Sequence, residues 1–282
     1  MLMKSGQLSS NTFDRRPSAP TLIEISVMQP VPLQLPEGFA LTAESLSQKV
    51  ILVTGAGDGI GKVAATTFAR CGATVILAGR TLGKLEQVYD NIESAGHPQA
   101  ALFPINFEHA VEQDYDALCN ALFDTFGRLD GILHNAADLG ERTPISNYSL
   151  GAWQRCMQVN VNAPFMLTRA LLPLLEKSPS ASVLFTSSSV AFNGRAYWGG
   201  YAASKAAQEN LMQTLADEHE GISRIRFNSI NPGGTRTRMR AKAYPAEDPT
   251  SIKAPDALMP AYVYLLGDQS AGTSGVSFQY RA

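Results

Sequence analysis

The chain has 282 residues, 45% of them hydrophobic and 17% charged, with a formal net charge of -2. That length suits one α/β domain with a full core, and the near-neutral charge argues against a general nucleic-acid or anionic-membrane binder, leaving small molecules as the expected partners. Cys71, Cys119 and Cys156 are far apart and lack the close pairing of a metal knuckle or redox pair, so no metal site is expected and free thiols in a reducing, cytoplasmic setting are.

Residues 1–46 carry Pro17, Pro20, Pro30, Pro32 and Pro36 among serines with no sustained period, which predicts a disordered or loosely ordered extension. Lys4, Arg15 and Arg16 are not followed by the apolar stretch of a targeting peptide, and Met28 offers an alternative first residue. No run reaches the roughly 18 to 20 apolar residues that span a bilayer.

From residue 47 to the end, short β-branched runs alternate with longer amphipathic ones, the pattern of a parallel sheet covered on both faces. The predicted strands are Val50–Val53, Thr74–Leu77, Ala101–Ile105, Gly131–His134, Ser182–Phe185, Ile225–Ile230 and Gly275–Phe278. Between them, helices are predicted over Ile60–Arg70, Leu82–Ser94, Val111–Phe126, Leu150–Glu176, Tyr201–Glu220 and Pro255–Leu266. The expectation is a single Rossmann-type, doubly wound α/β domain with a seven-stranded, mostly parallel sheet, binding its ligand where strand order reverses.

The first of these strands runs into Thr54-Gly55-Ala56-Gly57-Asp58-Gly59-Ile60-Gly61 and then a helix. Gly55 permits the tight turn, Gly59 lets backbone approach a pyrophosphate, and Gly61 allows close helix packing, while free N–H groups at the helix start face negative charge. After the second strand, Arg80 and Thr81 stand where an NAD site places an acid against the ribose. A guanidinium there can hold a 2′-phosphate, which favours NADP(H) over NAD(H); the plain alternative is an exposed arginine ahead of a helix.

Tyr201-Ala202-Ala203-Ser204-Lys205 puts a phenol and an ammonium on one helical face, and Ser189 closes the run Thr186-Ser187-Ser188-Ser189 just ahead of it. The cation should ease deprotonation of a phenol whose ordinary pKa is about 10, and the serine hydroxyl should orient a carbonyl oxygen.

With Asn231-Pro232-Gly233 after the sixth strand, these motifs resemble the short-chain dehydrogenase/reductase family over Lys49 to the end. Within it, GGTRTRMR and WGGYAASK are most similar to the bacterial YciK-type oxidoreductases. The resemblance implies a hydride transfer between NADP(H) and a carbonyl or secondary alcohol. Tyr201 would be the general acid or base, Ser189 would position substrate, Lys205 would also hold the nicotinamide ribose, and Asn160 would belong to a proton relay. It also implies that Pro232, Gly233 and Thr235 lie along the nicotinamide, that Thr237 contacts phosphate, and that the subunits pair as homodimers or homotetramers. Three positions depart from the family's pattern. Ala137 in His134-Asn135-Ala136-Ala137 replaces a glycine beside the cofactor, Asn106-Phe107 stands where an aspartate usually meets adenine, and Asp58 stands where some relatives carry a base. Asp58 is equally explained as a helix cap.

The segment with Arg236, Arg238, Arg240 and Lys242 is expected to cover the substrate pocket, its charge inviting an anionic substrate or merely steering NADP phosphates. Against the oxidoreductase stands a second class, an NADP(H)-binding regulatory or scaffold protein without turnover. An epimerase or dehydratase ranks last, because little chain follows Asn231 to build a separate substrate region.

Overall fold

A computed structural model of the protein describes residues 29–281. Its strands are β1 (Val31–Pro32), β2 (Val50–Thr54), β3 (Thr74–Gly79), β4 (Ala101–Pro104), β5 (Gly131–His134), β6 (Ser182–Thr186), β7 (Arg226–Asn231) and β8 (Ser277–Gln279). They form one eight-stranded sheet in the order β1-β8-β7-β6-β5-β2-β3-β4, every pairing parallel. The Rossmann-type architecture is as expected, but the strand count of seven is corrected to eight.

The extra strand comes from the proline-rich stretch. Val31 and Pro32 pair with Phe278 and Gln279, and Leu33 N donates to Gln279 O at 2.9 Å. Two residues show no alternation, and a proline argues against a central strand; at a sheet edge its missing donor costs nothing. The chain then returns over the domain, with Phe39 edge-on to Tyr264 and Leu46 fully buried. Of the disordered or loosely ordered extension expected over residues 1–46, residues 29–46 follow this path and residues 1–28 lie outside those described.

The helices are α1 (Gly59–Arg70), α2 (Leu82–Ser94), α3 (Glu112–Phe126), α4 (Leu150–Met157), α5 (Ala163–Leu175), α6 (Gly199–His219), α7 (Arg238–Ala243) and α8 (Met259–Leu266). One face of the sheet buries Phe68, Leu85, Tyr262 and Leu266 beneath α1, α2 and α8. The other buries Leu118, Leu171, Met212 and Phe227 beneath α3, α5 and α6. No described helix is long and apolar enough to cross a membrane.

The single helix predicted over Leu150–Glu176 is instead α4 and α5 joined by a π-helical stretch, Gln158–Asn162, in which Ala163 N reaches back to Gln158 O. Pro164 explains the break in the ladder. It has no N–H, so the carbonyl four residues earlier, that of Asn160, loses its helical donor.

Candidate functional site

β2 has β3 on one side and β5 on the other, so strand order reverses there and a cleft of about 710 Å³ opens beyond the carboxyl ends. Thr54, buried at the end of β2, ties its two lips together. Its Oγ1 donates to Leu133 O at 3.2 Å and accepts from Asn135 N at 2.9 Å and Ala136 N at 3.0 Å.

The glycine turn follows. Gly55 and Gly59 adopt φ of +70° and +53°, and a side chain on Gly55 would meet the Ala136 backbone at 3.1 Å. Gly61 lies beneath the cleft, and a Cβ there would collide with the Gly55 carbonyl and the Asn135 amide. These glycines therefore leave backbone bare where an anion can approach. Gly55, Gly57, Asp58, Gly59 and Ile60 line the cleft, whereas Thr54 and Gly61 support it from behind.

Arg80, Thr81, Asn106 and Phe107 line the same end of the cleft. Arg80 and Thr81 are exposed; Phe107 is buried in the core, and the Asn106 amide oxygen accepts from Glu108 N at 3.2 Å. Asp58 caps α1 through Gly59 N at 2.8 Å and holds Lys84 at 2.6 Å and Arg238 at 3.4 Å. Burial, the largest single effect, raises its carboxyl, but Lys84, the Gly59 N–H and Arg238 together outweigh it and hold the carboxyl below the ordinary range. Lys84, on α2, went unnoticed in the sequence because nothing but its spacing from Arg80 marks it.

At the other end of the cleft Tyr201 is buried, and burial pushes its phenol up to about 12. The hydroxyl that reaches it is that of Ser188, which opposes this rise; Ser189 starts a short 3-10 turn, is exposed, and lines the cleft beside it. In a run of serines, only the turn's geometry tells which one faces the phenol.

Lys205 is 1% exposed, and burial brings its ammonium down to about 8 while Glu209 opposes the fall. Its Nζ donates to Thr186 O at 2.7 Å and Gln208 Oε1 at 2.9 Å, and lies 5.9 Å from the centre of the Tyr201 ring. Asn160, fully buried, does not line the cleft. Its Oδ1 accepts from Asp138 N at 2.7 Å, and its Nδ2 donates to Asp138 O and Ser204 Oγ, each at 2.9 Å. The Asn160 carbonyl left without a donor by Pro164 accepts from Gln208 Nε2 at 3.2 Å, so Lys205, Gln208 and Asn160 form one buried chain.

Asn135, Ala136, Ala137, Pro232, Gly233, Thr235 and Thr237 complete the lining. The methyl of Ala137 packs beside Val190, Trp198 and Tyr201. Thr237 caps α7 through Arg240 N at 3.1 Å, placing that helix over the cleft.

Residues 49–248 match the family described as short chain dehydrogenase. The chain belongs to the short chain dehydrogenase family. Among family members, the Escherichia coli K12 oxidoreductase YciK is 52% identical over 233 residues, covering 83% of this chain and 92% of that protein. A solved short chain dehydrogenase from Shigella flexneri 2a strain 301, complexed with NADP, is 50% identical with a TM-score of 0.82, covering 84% of this chain and 99% of that one. Another from Escherichia coli CFT073, complexed with NADPH, is 51% identical with a TM-score of 0.82, covering 84% of this chain and 98% of that one. The likeness to YciK-type oxidoreductases read from the sequence thus holds across most of the chain.

Proposed function

We propose that this protein is an NADP(H)-dependent oxidoreductase that reduces a carbonyl, aldehyde or ketone, to the corresponding alcohol. The observation that carries the reading is the buried Tyr201 phenol at one end of a cleft whose other end presents Arg80, Lys84 and Arg238 around a bare glycine turn. The glycine turn accepts a pyrophosphate, and the three cations outnumber Asp58, which suits a 2′-phosphate. Two relatives of about half identity are complexed with NADP and NADPH. When bound, that cofactor supplies the hydride.

The chain's own groups handle the oxygen and the proton. A phenol held near 12 keeps its proton at neutral pH, so Tyr201 acts as the acid that protonates the oxygen as the carbonyl carbon is reduced. The Ser188 hydroxyl, which reaches the phenol, donates to the same oxygen and fixes its position; Ser189, the serine first expected there, is exposed and lines the cleft beside it. Lys205 places a positive charge beside the phenolate formed, anchored by Thr186 and Gln208. Asn160 positions Gln208 and Ser204 from behind and does not touch substrate.

Titration of the purified protein with NADPH and with NADH, followed by nicotinamide fluorescence, tests the cofactor. Single-turnover reduction of an aldehyde by the wild type and Tyr201→Phe tests the chemistry. NADPH preference with turnover lost in the variant is the expected result; equal turnover in both proteins removes Tyr201 from the mechanism.

A further inference from the structure

The basic residues over the cleft divide into two groups. Arg240 is held by Glu247 through two hydrogen bonds and stacks at 3.7 Å on Tyr244, so its charge is matched and its place fixed. Arg238 is turned to Asp58 at the phosphate end. Arg236 does not line the cleft. Lys242 and Arg195 do line it, and among the described residues neither has an acidic partner.

Both lie at the Tyr201 end. Lys242 is one turn beyond Arg238 on the same face of α7, next to Ala243 and Tyr244, which pack on Trp198 and Tyr201. Arg195 sits in the turn whose carbonyl accepts from Trp198 N at 3.2 Å. The acid at this end, Asp138, is already engaged by Arg155 at 3.2 Å and by Gly140 N at 2.7 Å. Trp198, Tyr201 and Tyr244 line the same cleft as the two cations and give it flat aromatic surface. Trp198 is 5.7 Å from the Tyr201 ring and 5.9 Å from that of Tyr244, and the Arg142 guanidinium lies 3.8 Å from the Trp198 ring centre, backing it with further positive charge.

Building on the oxidoreductase reading above, we infer that the substrate is a carbonyl compound with a flat, ring-containing body and a carboxylate. The ring lies against Trp198 and Tyr244, and Arg195 and Lys242 receive the anion. A neutral substrate would leave both of these cations without a counter-charge at this end of the cleft, whereas a carboxylate matches them.

The test uses para-formylbenzoate and its methyl ester, which share ring and aldehyde and differ in the charge. Calorimetry on the full chain, with and without saturating NADP+, measures binding in the absence of turnover. The acid should bind about ten-fold more tightly than the ester, and Arg195→Gln/Lys242→Gln should remove that margin while leaving ester binding unchanged. Arg236→Gln, which removes a cation outside the cleft, should leave the margin intact. Equal binding of acid and ester, binding of neither, or a margin lost equally in Arg236→Gln overturns the inference. Reduction with NADPH separates this from the underlying reading: tight binding of the acid without turnover counts against the oxidoreductase and leaves the anion site standing.

Discussion

Gln208 on α6 donates to the main-chain oxygen of Asn160 at 3.2 Å, filling the vacancy that Pro164 leaves in the helical ladder, and its own oxygen accepts from Lys205 at 2.9 Å. One buried amide thereby joins the irregular turn between α4 and α5 to the Lys205 ammonium. Neither neighbour can turn to water instead, since Asn160 and Lys205 are 0% and 1% exposed.

Gln208→Leu should therefore cost about 3 kcal/mol in urea unfolding, because it strands a buried carbonyl and a buried ammonium together. Gln208→Glu distinguishes support from charge tuning. A carboxylate there should raise Lys205 from about 8, and the alkaline fall in the rate of carbonyl reduction should move up by about one pH unit. An unmoved limb would detach Lys205 from the rate.

Much of this arrangement was legible in the residues, and the gaps have physical causes. The glycine turn, Arg80, Tyr201 and Lys205 are read from spacing, because each needs a fixed separation along one element. Ser188 and Lys84 are selected by how a turn and a helix face the cleft, which spacing leaves open among four successive Ser/Thr residues and along α2. The edge strand at Val31–Pro32 is too short to show a period. Pro164 was visible, yet its effect on Asn160 depends on α6 bringing Gln208 alongside. Tyr201 departs furthest: the lysine four residues on suggests a lowered phenol, but that ammonium is spent on Thr186 and Gln208 and burial dominates.

The two serines give separate outcomes. Ser188→Ala should lower kcat/KM for a test aldehyde by about 100-fold, in line with loss of an oriented donor to the reacting oxygen. Ser189→Ala, at an exposed position, should change it by less than about three-fold. Steady-state kinetics on both variants decides the assignment, and the reverse order of effects would return the role to Ser189.

At the phosphate end, Arg80→Ala and Lys84→Ala should each weaken NADPH binding by about ten-fold or more and leave NADH within about three-fold, since only NADPH brings the 2′-phosphate to these cations. Fluorescence titration reads both affinities. Equal losses for the two cofactors would assign the cations to the shared pyrophosphate.

His134 carries a prediction in acid. It lies buried at the end of β5, stacked on Phe185 at 4.7 Å and hydrogen-bonded to Thr168 at 2.8 Å, and burial, with Lys205 adding to it, holds its pKa down to about 3 against an ordinary 6.5. The unfolded chain takes up a proton below 6.5 that the folded protein refuses until about 3, so stability present above 6.5 is lost as the pH falls through that window. At about pH 5 the loss amounts to about 2 kcal/mol. His134→Asn removes the titrating group while keeping a polar side chain for Thr168. Its urea midpoint should fall less than that of the wild type between about pH 7.5 and pH 5, and parallel falls in the two proteins would show that His134 is protonated in place.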